Sequence, residues 1–264
     1  MKFEKNTFKK RLSSMLAVDF RRAFTSPLYY LMVGISLVIP ILILVMVTMM
    51  DGSVSVNPQT GEETIMKGFD TVWQIIGSAG GAGAMSMDIT SMCNINMMYF
   101  AVAVFVCIFI SDDFRSGYAK NLFTVRSKKD DYIISKMAIS FVAGASMLIA
   151  FFIGSMIGGK VAGLSFDLGS VSAANVVMSM LAKIFLVSIF AAIFVMAAVI
   201  AKQKLWLSIL LSLGIGMLFF TMVPIITPLD AGVINVILCL VGGAIFSAGI
   251  GIGSYHILRK TSIV

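Results

Sequence analysis

Catalysis needs nucleophiles, bases or metal ligands at workable spacing, and this chain of 264 residues holds few of them. Its one histidine, His256, stands beside Arg259 and Lys260 and reads as an interfacial residue rather than a base. The three cysteines (Cys93, Cys107 and Cys239) are odd in number and scattered, with no CxxC, so neither a disulfide framework nor a zinc site is indicated. No HExxH and no pair of intramembrane aspartates occurs. The stretch from Gly154 to Val161 approaches a phosphate loop but carries valine where a hydroxyl must hold magnesium. Gly154 and Gly158 are better read as helix-packing positions. Gly249, Gly251 and Gly253 lack the strand and turn of a dinucleotide site. The expectation is a chain that is not an enzyme, holds no metal and binds no cofactor of its own. Lys183 is the exception in type, a formal charge inside an apolar run. Such a residue marks a translocation path or a pairing site; otherwise it snorkels to the nearer surface.

The elements that must position these residues follow from composition. Apolar and aromatic residues make up 59% and charged ones 12%, with mean hydropathy +0.99. Soluble domains have about 45–50% apolar and about 25% charged residues. An ordinary soluble enzyme, a disordered chain and a nucleic-acid binder are thereby excluded, and the continuous apolar runs are too long for barrel strands. The fold class is all-α, a polytopic helical membrane protein. Six runs approach the roughly 20 residues needed to cross hydrocarbon. They are Leu28–Met50, Cys93–Ser111, Tyr132–Gly158, Ala173–Ala201, Leu205–Val223 and Ala231–Ile257.

Residues 1–27 do not read as a cleavable signal peptide. Phe8, Leu12, Met15, Leu16, Phe20 and Phe24 fall at helical spacing, with Lys9, Lys10, Arg11, Arg21 and Arg22 between them. That pattern suits either an amphipathic helix in the interface, its basic side chains on anionic lipid headgroups, or a solvated helix. Seventeen Lys and Arg fall on the side of the N-terminal segment, the 112–136 region, the Lys202–Lys204 turn and the C-terminal tail. Only Lys67 and Lys160 fall on the other. Both termini are therefore expected to be cytoplasmic.

Between the first two spans, the outer loop 51–92 carries turn signals and a run of small residues from Gly77 to Ala84. It reads as an external gate, a short re-entrant helix or a passive linker. The inner loop 112–131 follows an acidic pair, Asp112 and Asp113, with Gly117 permitting a break. Tyr118–Val125 can then form a short amphipathic helix, and Arg126, Lys128 and Lys129 follow. Such a helix is a knob for a partner's groove; the plain alternative is a basic loop. The twenty methionines suit adaptable apolar surfaces or simple lipid-facing packing.

An acid after span two, then Gly117, then Lys120-Asn121-Leu122, then Arg126, then Tyr132 through Lys136 resembles the type-2 ABC transporter permeases. The likeness is greatest to the small six-span bacterial members that serve bacitracin resistance, lantibiotic immunity and peptide export. The Pro224 and Pro228 stretch, 221–230, is similar to the re-entrant outer helices these permeases place before their last span. The resemblance implies that loop 112–131 is a coupling helix received by a separate ATPase. Asp112, Gly117, Lys120, Asn121, Leu122 and Arg126 match its motif, Asp113 shares the role of Asp112, and Tyr132 and Lys136 match its exit. Phe123 is added as the apolar knob on its residue type alone. The implied partners are two ABC ATPase subunits carrying ATP and magnesium, a second permease subunit (identical or homologous), membrane lipids and a hydrophobic or amphipathic peptide or a lipophilic antibiotic. The implied location is the bacterial cytoplasmic membrane. The alternative function is a non-transporting anchor or immunity protein that sequesters a peptide.

Overall fold

The computed structural model describes residues 8–56, 63–65, 67–79, 93–125 and 129–260. Its elements are helices α1 (Phe8–Thr25), α2 (Pro27–Met50), α3 (Met98–Arg115), α4 (Tyr118–Val125), α5 (Asp130–Ala162), α6 (Ala173–Ala201), α7 (Leu205–Phe220), α8 (Val223–Ile226) and α9 (Val233–Lys260). A small antiparallel hairpin, β1 (Val54–Val56) with β2 (Glu63–Ile65), follows α2.

Five helical segments among the described residues are long and apolar enough to cross a membrane, including α3 with the single turn of 3-10 helix before it. Their outward faces bear Leu31, Val38, Leu42 and Met46 on α2 and Ile234, Ile237, Leu238 and Phe246 on α9, all well exposed. Water would not tolerate such a surface on a soluble monomer, whereas hydrocarbon does. The chain is a membrane-embedded, multi-pass helical protein.

Helix boundaries differ from the sequence expectation for local reasons. Helix α3 begins at Met98 rather than Cys93, because the Asn94 side chain caps a 3-10 turn over Ile95–Met97 by accepting from the Asn96 amide. Helix α5 runs longer at both ends. Asp130 and Asp131 sit in its first turn, where the helix dipole favours acids, and Gly163 at φ 71° closes it. Helix α7 stops at Phe220, sixteen residues long and short of a full crossing; two turn residues and the Pro224-containing α8 follow it. The last helix, α9, is displaced to Val233–Lys260.

Helix α6 is the hub, packed against α3, α5, α7 and α9, while α2 and α1 lie on α5. Glycines set the α2–α5 seam, as the sequence implied. A Cβ on Gly154 would strike the Leu37 carbonyl oxygen and come 2.8 Å from Pro40, and one on Gly158 would lie 2.8 Å from the Ile41 Cα. On α5, Gly144 likewise leaves room for Val187 and Val102.

The connections sort onto two ends. At the basic end, Arg11 meets Asp131, Gln203 donates to the Phe114 carbonyl, and Lys129 Nζ donates to the Leu258 carbonyl at 2.9 Å. At the opposite end, the segment 67–79 is stitched to the α5–α6 connection. The Val72 amide donates to the Ser165 carbonyl, and Trp73 Nε1 donates to the Phe166 carbonyl at 3.1 Å. Within the described part of this loop lie the hairpin and the 3-10 turn Val72–Ile75. Residues 80–84 of the small-residue run lie outside the described residues.

Candidate functional site

At the basic end, three helices bring charges together below the surface. Asp19 lies on the buried stripe of α1 that Met15 and Ala23 share with it, one helical turn apart each. Asp113 projects inward from the last turn of α3, and Lys136 from the second turn of α5. All three are fully buried. The Lys136 ammonium sits 2.9 Å from Asp19 Oδ1 and 2.6 Å from Asp113 Oδ2. Arg22, one turn beyond Asp19, places Nη2 2.7 Å from Asp113 Oδ1 and Nη1 3.7 Å from Asp19 Oδ1. Two hydroxyls add further hydrogen bonds to the carboxylates. Ser135 donates to Asp19 Oδ2 at 2.7 Å and Tyr132 to Asp113 Oδ2 at 3.0 Å.

This is a charge-neutral quartet of two acids and two bases. Taking charges from water is costly, and the attraction repays it only when the geometry is good and the other lone pairs are bonded. Aromatic faces assist. The Arg22 guanidinium lies 4.0 Å from the Tyr118 ring centroid, and the Lys136 ammonium lies 4.4 Å from that of Phe109 and 5.1 Å from that of Tyr132. Burial opposes the charge on Arg22, but Asp113, followed by Tyr118 and Asp19, outweighs it, so its pKa lies above the usual arginine value. Burial, followed by the nearby Asp19 carboxylate, raises the pKa of Tyr118.

The cluster anchors α4, whose extent, Tyr118–Val125, is the one expected from sequence. Gly117 at φ 75° makes the break from α3, a conformation open to glycine at little cost. Tyr118, the first residue of α4, stacks under Arg22, and Ala119 is fully buried. The Phe123 ring meets Tyr132 edge-on at 5.3 Å between centroids, and Lys129 Nζ lies 5.4 Å from the Phe123 centroid. Leu122 and Phe123 both pack on the hydrophobic core. Phe123 is therefore turned toward the bundle and does not project as a free apolar knob. The outward face of α4 presents Lys120, Asn121 and Thr124.

The remaining expected site residues divide. Asp112 is exposed, and its carbonyl accepts from the Ser116 amide and hydroxyl. The acidic pair thus has one inward member and one outward member. Arg126 lies outside the described residues. Tyr132 and Lys136, expected as the exit of the loop into the membrane, belong to the buried cluster. Arg11 and Arg22, expected to reach lipid headgroups, pair instead with Asp131 and Asp113. Sequence reasoning missed Asp19, Tyr118 and Ser135 as members of the site. One signal was present: Asp19 follows Met15 by four residues, an acid on an otherwise apolar stripe.

Lys183 lies at the other end of the molecule, fully buried on α6. Its ammonium donates to the carbonyl oxygen and, at 2.8 Å, to the hydroxyl of Thr227, the residue that ends α8. Its own carbonyl accepts from the Tyr99 hydroxyl at 2.9 Å. Among the described residues, no group of three or more His, Cys, Asp or Glu side chains could hold a metal ion. No protein-family model, curated protein or solved structure matches this chain.

Proposed function

We propose that this chain is the membrane-spanning permease subunit of an ATP-driven ABC exporter, with α4 as its coupling helix. One observation carries the reading. A short helix stands between two long apolar helices at the basic end, its polar face outward and its root locked into a buried charge cluster shared with α1, α3 and α5. A basic loop with no partner needs no such anchor. A helix that must receive a push needs one, because a displacement of a loosely held helix is lost to local motion.

In this reading the basic end is cytoplasmic, the membrane is the bacterial cytoplasmic membrane, and α7 with α8 completes a sixth span. A separate ATPase seats on Lys120, Asn121 and the neighbouring Asp112 and Arg115. Two permease subunits face each other, and two ATPases close upon binding ATP. Tilt of α4 is then passed through Tyr118 to Arg22 on α1, and through Phe123 to Tyr132 on α5. The result is a shift in population between states open to either side, biased by nucleotide. An apolar or amphipathic peptide suits a chain with twenty methionines and extensive apolar surface; a lipophilic antibiotic follows it in order of preference.

The test is co-purification with the ABC ATPase encoded beside this chain, in lipid nanodiscs, for the wild type and for a Lys120→Glu, Asn121→Arg variant. A complex formed by the wild type and lost by the variant supports the reading. If the wild type binds no ATPase, the coupling role fails, and a sequestering anchor becomes the better account.

A further inference from the structure

Two lysines are fully buried among the described residues, and their surroundings differ in kind. Lys136 is held between two carboxylates. Lys183 makes no ion pair among the described residues; its ammonium donates to the neutral oxygens of Thr227. The Thr227 hydroxyl donates to the Val223 carbonyl at 2.8 Å, so toward Lys183 it can only accept. An ammonium has three donors, and hydrogen bonds to a carboxylate are roughly twice as strong as those to a neutral group. In hydrocarbon surroundings a cation served only by neutral oxygens is therefore poised to exchange them for an anion.

Thr227 belongs to a turn that closes the end of the bundle opposite the charge cluster. Within it Val223, Leu229 and Ala231 are buried. The Leu229 amide donates to the Ser78 carbonyl at 3.0 Å, Gly77 lies against Leu229, and Asn235 Nδ2 donates to the Ile226 carbonyl at 2.9 Å. Lys183 is the cation among these ties, and it joins the turn to α6, the hub of the fold. Tyr99 holds the lysine backbone from the α3 side.

We propose that Lys183 is a carboxylate-receiving latch. Bound to Thr227 it keeps the 221–231 turn closed. A carboxylate-bearing amphiphile, such as a peptide with a free C-terminus, takes the ammonium from Thr227 and releases the turn. The inference rests on the exporter reading for its orientation and its ligand class.

The experiment places a single cysteine at Leu229 in a chain whose three native cysteines are replaced by alanine. Labelling by a membrane-impermeant maleimide is then timed in intact cells. Labelling is expected to be slow with Lys183 present and about tenfold faster in Lys183→Met, the scale of losing a charged hydrogen-bond donor. Thr227→Val, which keeps the lysine and removes one acceptor, is expected to label faster as well and serves if the lysine variant does not fold. A short amphipathic peptide with a free C-terminal carboxylate should accelerate labelling in the Lys183 chain, and its C-terminal amide should not. Neither peptide should accelerate labelling in Lys183→Met. Equal rates with and without Lys183 overturn the latch, and equal action of the two peptides overturns its carboxylate preference. Labelling needs no ATPase, so loss of ATPase binding sinks the exporter reading without altering these rates.

Discussion

Replacing Lys136 by methionine removes one of the two cations that hold Asp19 and Asp113 in place. Both carboxylates contact the same ammonium, so their nearest oxygens lie within about 5.5 Å of each other. Two unit charges at that distance repel by about 3 kcal/mol at an effective dielectric constant of about 20. Arg22 screens part of this from the Asp113 side, but its side chain is 30% exposed and 3.7 Å from Asp19. Removing one partner of a buried pair costs about 3–5 kcal/mol in general, which agrees with the direct figure. For a chain of this size that corresponds to a fall in Tm on the order of 10 °C. The buried thiols of Cys107 and Cys239 provide the assay, since a thiol-reactive dye reports their exposure on heating in detergent. The double variant Lys136→Met, Asp113→Asn removes the repulsion together with the cation. It is expected to regain more than half of the lost stability, a non-additivity that marks direct coupling. A single variant that melts within about 2 °C of wild type, or a double variant equal to the sum of its parts, would refute the argument.

Other outcomes follow from the same geometry. Gly154→Leu is expected to be far more disruptive than Gly214→Leu, measured as yield of folded protein, because a Cβ at 154 meets the α2 backbone while one at 214 meets nothing within 4 Å. Burial and then the neighbouring Lys202 lower the pKa of Lys129. For a base with a depressed pKa, the unfolded chain binds more protons, so this contribution to stability rises with pH just below the usual lysine value. Lys202→Gln should flatten that alkaline rise, measured by melts across an alkaline series. Asp70 titrates below the usual carboxylate value through its bond from Lys67 and then Gln74, so its contribution is present at neutral pH and lost in acid. Lys67 and Asp70 are 78% and 60% exposed, so Asp70→Asn should shift Tm by no more than about 2 °C.

The helices were largely legible because each depends on a run of apolar residues and a local stop. Gly117 announces the break before α4, and the Pro224 and Pro228 pair announces the end of α7. The Asn94 cap that delays α3 was not legible, since a side-chain bond within the turn overrides the hydropathy of Cys93. The charge cluster was half legible. Asp113 stood out as one of an acidic pair, and Tyr132 and Lys136 through the family resemblance, but their joint partner Asp19 is 117 residues from Lys136, and no local pattern relates them. Arg22 was misassigned for the same reason, because a basic residue on an interfacial helix looks identical whether it faces a headgroup or a buried acid. The Lys183–Thr227 contact spans 44 residues and joins two elements that only the folded bundle brings together.

The separation of Asp19 from Lys136 also imposes an order on assembly. At about 5–20 residues per second, the ribosome needs on the order of 10 seconds to travel from one to the other. During that interval α1 has emerged with an acid on its apolar stripe that has only Arg22 of the same helix, 3.7 Å away in the folded protein, and lacks the closer Lys136 ammonium. The helix can rest at the membrane surface, but it cannot settle into its final seat until the third long helix has been inserted with Lys136 at the basic end. Were that helix to enter in the reverse orientation, Lys136 would be carried to the far side and the seat would never form. Helix α1 therefore remains unlocked until the chain has placed its third long helix the right way round, and its docking records that this has happened.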